Sequence, residues 1–448
     1  MSPQAAFRRL VLIAPVIAGA FGAACAVGGA QAATFDVEPG GGRLKAAIAA
    51  ARPGDTVRLK SGRYVGPVVI DRPLTLEGRP GAVIDGEGKG NVILVKAANV
   101  TIRGLIVRRS GASLNKMHAG IFLTETAHNA LVEGNRLTGN LFGVYLLGPN
   151  NATVRANTII GRRDLRENDR GNGVQLWRTP GSRVIANDIR YGRDGIFTDT
   201  SRNNVFRGNR FRDLRFAVHY MYTNNSIVAD NISIGNAIGY AIMFSHRLKV
   251  TGNLSQGDRE HGFLFNYANR SRIEGNIVAP GAKTGGAKSV GPEKCVFIYN
   301  ANRNIYRGNT FSGCQIGIHF TAGSERNVVS GNAFIGNRHQ VKYVGTRSLD
   351  WSAGGRGNYW SDNTGFDLNG DGLADAAYRP NSIVDRIVWA HPSAKILLNS
   401  PAAAMLRWAQ SRFPALYPGG VVDSAPLMKP PVPARPVFTR PVIMGATP

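Results

Sequence analysis

The sequence contains few cysteines and few acidic residues, and each scarcity limits what the protein can be. Only three cysteines occur in 448 residues, so a small fold held together by many disulfides is excluded. Glycine is abundant, at 55 residues, but it does not recur at every third position, which excludes a collagen-like helix. Because 43% of the residues are hydrophobic, the chain can bury a core and is not wholly disordered.

The first 32 residues have the features of a cleaved signal peptide. Two arginines precede an apolar run over 10–30, and Ala30 and Ala32 provide the small residues that signal peptidase requires. An uncleaved anchor is an alternative, although the Gly and Ala content lowers its hydrophobicity; a lipoprotein cut at Cys25 lacks the expected upstream leucine. No second run is long enough to span a membrane, so we expect an exported, periplasmic protein.

The exported chain is strongly basic. The whole sequence has 54 Lys and Arg against 29 Asp and Glu, and removal of the signal takes away two of the positive charges and leaves +23. Such a charge favours an acidic partner or an anionic membrane surface. Nucleic acid is not an expected partner of an exported protein.

A short motif, in which Gly, Ala or Asp precedes Asn between apolar residues, recurs through the middle of the chain. Its asparagines are Asn135, Asn157, Asn187, Asn209, Asn231, Asn253, Asn276, Asn309, Asn332 and Asn358. Most intervals are 22 or 23 residues, and the intervals of 30 and 33 contain insertions. This period predicts an all-β fold, a right-handed parallel β-helix of about a dozen coils. Asn suits a repeated corner because it tolerates left-handed backbone and its amide can bond to the equivalent amide one coil away.

The repeat divides the chain into four regions. Residues 1–32 form the signal, 33–355 the β-helix, 356–428 a C-terminal segment with an Asp-rich loop and helices, and 429–448 a Pro-rich tail. A short helix over 44–51 is expected to cap the N-terminal end of the β-helix. Two further helices are predicted at 383–389 and 402–413, capped by Ser382 and Ser400.

Strand alternation predicts two columns of side chains on the outer surface of the β-helix. The first column contains Phe122, Tyr145, Gln175, Phe197, His219, Ala241 and Leu264, and the second contains Thr124, Leu147, Trp177, Asp199, Met221, Met243 and Asn266. These residues are unusually apolar for a solvent-facing sheet, so they predict a binding face. The alternative is that loops or the C-terminal segment cover them. Phe197, Trp177, Met405 and Trp408 are the residues expected to contact partner proteins.

Three residues of these columns are candidate copper ligands. His219 and Met221 share a strand, and Met243 is expected one coil above Met221. Imidazole and thioether groups select soft metals such as Cu(I). His246 and the Met117-His118 pair are further candidates nearby. Methionine more often serves in ordinary packing, so packing remains the alternative interpretation of Met221 and Met243.

The Asp-rich loop resembles a calcium-binding loop. Asp367, Asn369 and Asp371 occupy ligand positions 1, 3 and 5, and Asp375 occupies position 9. Tyr378 stands at position 12 instead of the usual bidentate Glu, so calcium would bind weakly. The alternative is an Asx-rich turn without metal.

Cys295 and Cys314 are 19 residues apart, slightly less than one coil. In register, Cys295 aligns with Gly317, which leaves Cys314 about three residues from direct stacking. The pair could form a disulfide only if the turn folds back. Pairing, metal binding and simple packing all remain open from the sequence.

Many β-helix proteins are enzymes that cleave or epimerise acidic sugars, and this is the alternative function. Such enzymes use clustered carboxylates with Arg or Lys along a groove. Asp194, Asp199, Arg193 and Arg202 could imitate that arrangement, but the carboxylates are scattered and the columns are dominated by Phe, Trp and Met. An exported lyase or epimerase is therefore the less favoured interpretation.

Several stretches together resemble the NosD family of periplasmic nitrous oxide reductase maturation proteins. They are Asp194-Gly-Ile-Phe-Thr-Asp-Thr-Ser, Arg215-Phe-Ala-Val-His-Tyr-Met-Tyr-Thr-Asn, Gly239-Tyr-Ala-Ile-Met-Phe-Ser, Gly357-Asn-Tyr-Trp-Ser-Asp, the 367–375 loop, Tyr378-Arg-Pro-Asn and Val422-Asp-Ser-Ala-Pro-Leu-Met. The resemblance covers essentially the whole exported chain, and its C-terminal part is the most specific.

The resemblance implies a non-enzymatic role. Proteins of this family look like the periplasmic component of a complex with an ABC-type ATPase and permease. The implied task is assembly of the copper–sulfide centre of nitrous oxide reductase, with a copper chaperone and the apo-reductase as partners. No catalytic residue is implied, and the copper and calcium ligands named above come from the residues alone.

Overall fold

The chain winds into a parallel β-solenoid, as a computed structural model shows for residues 32–281, 291–321, 323–345, 347–413 and 419–439. Three long parallel sheets, of 13, 12 and 13 strands, run along the solenoid. Each coil contributes one short strand to each sheet, so the predicted all-β repeat architecture is confirmed. The predicted signal, apart from its last residue, lies outside the described residues.

Every strand of the three sheets is short, between two and six residues. Sheet 1 contains Thr34–Val37, Thr56–Leu59, Thr75–Gly78, Thr101–Arg103, Leu131–Glu133, Thr153–Arg155, Arg183–Ile185, Val205–Arg207, Ile227–Ala229, Lys249–Thr251, Arg272–Glu274, Ile305–Arg307 and Val328–Ser330. Sheet 2 contains Val68–Ile70, Ile93–Val95, Ala119–Leu123, Phe142–Leu147, Val174–Trp177, Asp194–Asp199, Phe216–Met221, Ile238–Met243, His261–Asn266, Lys294–Tyr299, Ile316–Thr321 and His339–Val344. Sheet 3 contains Gly62–Val65, Ala82–Asp85, Ile106–Arg108, Arg136–Thr138, Thr158–Ile160, Asp188–Arg190, Arg210–Arg212, Ile232–Ile234, Leu254–Gln256, Ile277–Ala279, Thr310–Ser312, Ala333–Ile335 and Tyr359–Trp360.

The interior is a continuous apolar core that becomes more aromatic toward the C-terminal end. Small and branched aliphatic residues fill the early coils, such as Val57, Leu76 and Ile102. The largest fully buried side chains of the later coils are Phe206, Phe211, Tyr220, Tyr240, Phe263, Phe265, Tyr306, Phe311, Phe334 and Trp360. Because each coil is fixed by inward side chains stacked on those of its neighbours, the outward residues are held in rigid columns.

The repeated asparagines form a buried ladder inside one corner of the solenoid, as predicted. This asparagine ladder comprises the ten residues from Asn135 to Asn358 named above. At Asn209, for example, the side-chain oxygen accepts from the backbone N–H and the Nδ2 of Asn187, and its own Nδ2 donates to Asn231 Oδ1 and Val184 O. Each amide therefore has all its partners although it is removed from water.

The reason for Asn at this corner differs in one respect from the prediction. The left-handed residue is the one before the asparagine in nine of the ten cases, such as Ala186 (φ 53°), Gly208 (φ 63°) and Asp230 (φ 56°). The Asn itself serves for its amide, whose donors and acceptor match the backbone groups freed at the turn. The small or Asx residue before it explains the Gly, Ala or Asp of the motif.

Both ends of the solenoid are covered. The helix α1 (Arg43–Ala50) packs Leu44 and Ile48 onto the first coils, which confirms the predicted N-terminal cap. At the other end, Leu349–Asp350 pairs with Val421–Val422, and the rings of Trp351, Trp360 and Tyr378 pack over the last coil. Closing the ends removes strand edges that could pair with other chains.

Two helices follow the solenoid, as the sequence predicts. The helix α2 (Ile383–Ala390) begins with a capping box in which Ser382 and Asp385 bond to each other's backbone N–H. A 3-10 helix (Pro392–Leu397) leads to α3 (Pro401–Arg412), which Ser400 caps. Gln410 on α3 accepts a hydrogen bond from the backbone of Ile383, which joins the two helices. None of the helices in the described ranges is long and apolar enough to cross a bilayer.

The Pro-rich tail contains no helix or strand over its described part, 429–439. Phe438 packs on an apolar strip on the outside of sheet 3, formed by Ile232, Leu254 and Ile277, and Arg210 lies over its ring. The tail thus returns along the outer surface of the solenoid.

Candidate functional site

The two predicted columns lie on the outside of sheet 2, which we call the outer face. Strand register places Phe197, His219 and Ala241 on top of one another in consecutive coils. Trp177, Asp199, Met221 and Met243 are stacked in the same way in the second column. The predicted position of Met243 one coil above Met221 is therefore correct.

His219 is held in place by a buried carboxylate. Its Nδ1 lies 3.0 Å from Oδ2 of Asp194, a side chain that is completely buried. Arg215 donates to both oxygens of the same carboxylate, at 2.9 and 2.8 Å. The rings of Phe197 and Phe216 meet the imidazole edge-on, with centroids 4.8 and 5.0 Å away. The imidazole therefore has one fixed orientation on the outer face.

The charges around Asp194 define which nitrogen of His219 is free. Burial acts to raise the pKa of Asp194, but hydrogen bonds from His219 and Arg215 outweigh it and lower the pKa below its ordinary value. The carboxylate is thus ionised and accepts the proton on Nδ1 of His219. In the neutral imidazole the lone pair then belongs to Nε2, the same carboxylate–histidine arrangement that orients metal-binding histidines in proteins.

Met221 and Met243 are neighbours of His219 in the strand register of sheet 2. Met221 is two residues beyond His219 on the same side of one strand, and Met243 is its neighbour in the next strand, about 4.8 Å away along the solenoid. Both methionines are partly exposed on the outer face. One imidazole nitrogen and two thioethers are the donor types that suit Cu(I).

Loops cover the N-terminal part of the outer face, so the alternative interpretation is correct for that part. Phe122, Phe142 and Tyr145 are almost completely buried, and Met117 and Leu165 from neighbouring loops pack over them. Met117 therefore serves in packing there. The open part of the face begins at Trp177, which is 36% exposed, and contains His219 and both methionines.

A second group of imidazoles lies higher on the outer face, and the sequence analysis did not identify it. His261 and His319 both contact the ring of Phe297. Burial is the main cause that lowers the pKa of His261, and it lowers the pKa of His319 to about 4. Both rings are therefore neutral near pH 7. His319 lies in the same column as His219, four coils farther on, so the repeat offset could have identified it.

The carboxylates of the outer face are not arranged as an acid–base pair. Asp194 is occupied by Arg215 and His219, and Asp199 accepts a hydrogen bond from Thr200. Acid–base catalysis on a sugar requires carboxyl groups that face the substrate. The geometry of these two residues therefore gives no support to the lyase or epimerase alternative.

The Asp-rich loop is curled around its own backbone. Asp367 accepts hydrogen bonds from the backbone N–H groups of Gly370, Asp371 and Gly372. Asp371 accepts from Leu373, and Asp375 accepts from Leu368. Within the described ranges, no three His, Cys, Asp or Glu side chains come together as a metal-holding group. Calcium binding by Asp367, Asn369, Asp371 and Asp375 stays a prediction.

The apolar residues of α3 face solvent. Met405 is 70% exposed and Trp408 is 61% exposed, and Leu406 and Phe413 are exposed as well. The end of the solenoid is covered by residues 419–428 and three aromatic rings, so α3 is not needed to cover it. This exposure is compatible with the predicted contact with a partner protein.

Cys295 and Cys314 form a disulfide, which the sequence left open. The turn does fold back: Gly313 has φ 66°, and the N–H of Cys314 donates to Asn337 Oδ1, which places the two Cα atoms 5.7 Å apart. Disulfides persist in oxidising compartments such as the periplasm.

A family model and two named relatives match this chain over long stretches. The family model described as "Periplasmic copper-binding protein (NosD)" matches residues 156–365, which include His219, Met221 and Met243. Two relatives are named "Probable ABC transporter binding protein NosD". The one from Stutzerimonas stutzeri is 44% identical over 376 residues, 83% of this chain and 86% of the relative. The one from Pseudomonas aeruginosa is 45% identical over 376 residues, 83% of this chain and 88% of the relative.

A solved structure shares the fold without close sequence similarity. The A-module of the Azotobacter vinelandii mannuronan C-5 epimerase AlgE6 superposes with a TM-score of 0.52 at 17% identity, and the match covers 67% of this chain and 91% of the module. At this identity the likeness concerns the β-solenoid alone. The similarity over most of its length to the two relatives shows the family: the chain belongs to the NosD family of periplasmic copper-binding proteins.

Proposed function

We propose that this protein is a non-enzymatic periplasmic factor that receives Cu(I) on the outer face and passes it on during assembly of the copper–sulfide centre of nitrous oxide reductase. The observation that carries the proposal is His219, fixed by buried Asp194 so that Nε2 is free, beside the stacked thioethers of Met221 and Met243. Copper is cargo here. Three ligands at an open surface would bind it while leaving a position for the next protein's ligand.

The proposed partners follow from the family and from two surfaces. The relatives are named as ABC transporter binding proteins, which supports an ABC-type ATPase and permease as partners of this chain. The exposed Met405 and Trp408 of α3 are a suitable docking surface for the permease, since large apolar side chains dominate protein interfaces. Trp177 and Phe197, next to the copper ligands, would meet the copper chaperone or the apo-reductase.

Cu(I) titration of the exported protein tests this function. We expect one Cu(I) per chain, measured anaerobically by competition with a chromogenic chelator, and at least a tenfold loss of affinity in a His219→Asn, Met221→Leu, Met243→Leu variant. The matched control, His391→Asn with Met405→Leu, removes the same donor types at a distance. Equal affinity of the triple variant and the wild type would contradict the assignment of these ligands.

The positioning role of Asp194 can be tested separately. Asp194→Asn keeps the shape of the side chain but removes the charge that orients His219, so Cu(I) affinity should fall about 10-fold or more. The melting temperature distinguishes this role from a folding defect: a positioning role predicts weaker Cu(I) binding in a variant that melts close to the wild type. A loss of affinity that comes with a clearly lower melting temperature would indicate a structural role only.

We also propose that the 367–375 loop binds calcium. Its carboxylates, amide and backbone carbonyls are the hard oxygen donors that Ca²⁺ prefers, and the loop is already curled. We expect the melting temperature to rise in millimolar Ca²⁺ but not in Mg²⁺, and Asp367→Asn with Asp371→Asn to abolish the rise. Asp36→Asn with Asp199→Asn is the control for charge; an identical melting curve with and without Ca²⁺ in the wild type would refute the proposal.

A further inference from the structure

The turn that leads from sheet 2 to sheet 1 carries an arginine in four consecutive coils. These residues, which we call the arginine row, are Arg247, Arg270, Arg303 and Arg326, and all four are exposed. Backbone hydrogen bonds align them: the N–H groups of Arg247, Arg270 and Arg303 each donate to the carbonyl of the residue before the next arginine. Neighbouring arginines are thus about 4.8 Å apart at the backbone, and the row is about 14 Å long.

The arginines occupy backbone positions that disfavour them. Their φ angles are 56°, 53°, 57° and 55°, in the left-handed region that Gly, Asn and Asp enter most readily. In the two preceding coils the same position is held by Asn203 and Asn225, at φ 58° and 53°. The change from Asn to Arg therefore costs backbone energy in every coil where it occurs. A strained position that repeats a long charged side chain indicates a use for that side chain.

The charges of the arginine row are not neutralised by the protein itself. Among the ion pairs of the described residues, none involves these four arginines; Arg247 instead donates to the amide of Asn225. The one acid in this turn, Glu325, is paired with Arg347. The four arginines line a groove of about 600 Å³, together with His246, Asn269, Asn302, Gly323 and Glu325. The groove is therefore a strongly positive site open to solvent.

A ridge of aromatic rings borders the arginine row. Tyr222, Phe244 and Tyr267 are stacked with centroids 5.1 and 5.2 Å apart and planes within 18° of parallel, and Tyr299 meets Tyr267 edge-on. Tyr222, Tyr267 and Tyr299 are 41–51% exposed. Because the rings cover one another's faces, they present edges and hydroxyl groups to solvent.

The ridge distinguishes between classes of ligand. A sugar ring stacks on an exposed aromatic face, and the face of Phe244 is covered on both sides by Tyr222 and Tyr267. Protein side chains pack well against ring edges and tyrosine hydroxyls. Arginine and tyrosine are also the residue types that contribute most to protein–protein binding energy. An acidic polysaccharide thus fits this surface less well than an acidic polypeptide.

We propose that the arginine row and its aromatic ridge bind an acidic, extended segment of a partner protein. An extended chain advances about 3.3 Å per residue, so four or five residues along the solenoid axis would span the row. Carboxylates would pair with the guanidinium groups, and apolar or aromatic side chains would pack on the ridge. The proposal does not rest on copper binding, since none of these residues is a proposed copper ligand.

Fluorescence anisotropy with labelled peptides of about eight residues tests the proposal. We expect an alternating Glu-Ser peptide to bind the exported protein, and an alternating Glu-Tyr peptide of equal charge to bind more tightly through the ridge. In an Arg270→Gln, Arg303→Gln variant the affinity should fall roughly fivefold, the loss expected for two surface ion pairs. The Cu(I) affinity of this variant should be unchanged, so this proposal and the copper proposal can fail separately.

The matched control removes two exposed arginines from other parts of the solenoid. Arg136→Gln with Arg183→Gln changes the net charge by the same amount and should leave peptide affinity unchanged. An equal loss in the control would mean that only the overall charge attracts the peptide. No measurable binding of either peptide would overturn the proposal, and so would a uronic-acid oligosaccharide of the same charge that binds more tightly than both.

Discussion

Replacement of Asn209 by Ala, in the middle of the asparagine ladder, is expected to lower the free energy of unfolding by about 3 to 5 kcal/mol. The substitution leaves the backbone N–H of Asn187 without its acceptor and the carbonyl of Val184 without its side-chain donor, and it removes one of the acceptors of Asn187 Nδ2. All these groups are buried, so water cannot replace the lost partners. Urea unfolding followed by circular dichroism measures the loss.

Two further variants show that the loss comes from hydrogen bonding. Asn209→Asp keeps the size but replaces the amide donor by a carboxylate that faces two oxygens, Val184 O and Asn231 Oδ1, so it should be at least as damaging near pH 7. Asn150→Ala removes an exposed amide from another turn and should change stability by less than about 0.5 kcal/mol. A small effect of Asn209→Ala, similar to that of Asn150→Ala, would show that the ladder contributes little to stability.

The fold could be predicted because one repeat unit determines it. The asparagine spacing fixes the coil length, and strand alternation within a coil then fixes which side chains point outward. This is why the alignment of Met221 with Met243, and of Phe197 with His219, was predicted correctly. The helix at the N-terminal end follows from the need to cap a solenoid, and the two C-terminal helices follow from their N-cap serines, Ser382 and Ser400.

The support of His219 was missed because it depends on more than register. Asp194 belongs to the coil below His219 and to a different column, so no alignment of equivalent positions pairs them. The contact forms because the side-chain conformation of His219 brings its imidazole to the buried carboxylate of the preceding coil. The strand register does not determine that conformation. The pairing of Cys295 with Cys314 was left open for a related reason, since register is fixed in strands and the path of a turn is not.

The arginine row, in contrast, could have been found in the sequence. The intervals between Arg247, Arg270, Arg303 and Arg326 are 23, 33 and 23 residues, the same as those between the last ladder asparagines from Asn253 to Asn332. Equal intervals mean equal positions in successive coils. The arginines lie in turns, outside the Asn motif and the apolar strands from which the repeat was inferred.

The last asparagine of the ladder, Asn358, donates hydrogen bonds to Asp423, and this contact joins two distant motifs of the C-terminal region. Oδ2 of this buried carboxylate accepts from the backbone N–H of Asn358 at 2.6 Å, from Asn358 Nδ2 at 3.2 Å and from Trp360 Nε1 at 2.7 Å. The other oxygen lies against Gly357, where a Cβ atom would clash with it. The Gly-Asn-Tyr-Trp motif and the Val-Asp-Ser motif are therefore two halves of one closure of the solenoid.

Asp423→Ala is expected to lower the free energy of unfolding by about 3 to 5 kcal/mol, because the buried backbone N–H of Asn358 and the indole N–H of Trp360 lose their acceptor. Asp423→Asn should cost less, since its oxygen can still accept from Asn358 and Trp360. Differential scanning calorimetry measures both, with Asp36→Ala on an exposed strand residue as the control. The loss should appear first as melting of the last coils, because a solenoid transmits stability only between neighbours.

The pH dependence of stability distinguishes the effect of ionising Asp423 from the effect of its side-chain shape. Burial raises the pKa of Asp423 above its ordinary 3.8, although the hydrogen bonds from Asn358 and Trp360 act to lower it. The folded state therefore disfavours the ionised form, so this group's contribution to stability is present at low pH and is lost as pH rises through the raised pKa. Asp423→Asn should abolish that dependence and make the stability difference from wild type larger on the acidic side. A difference that does not change with pH would show that the closure depends on the shape of this side chain and not on its ionisation.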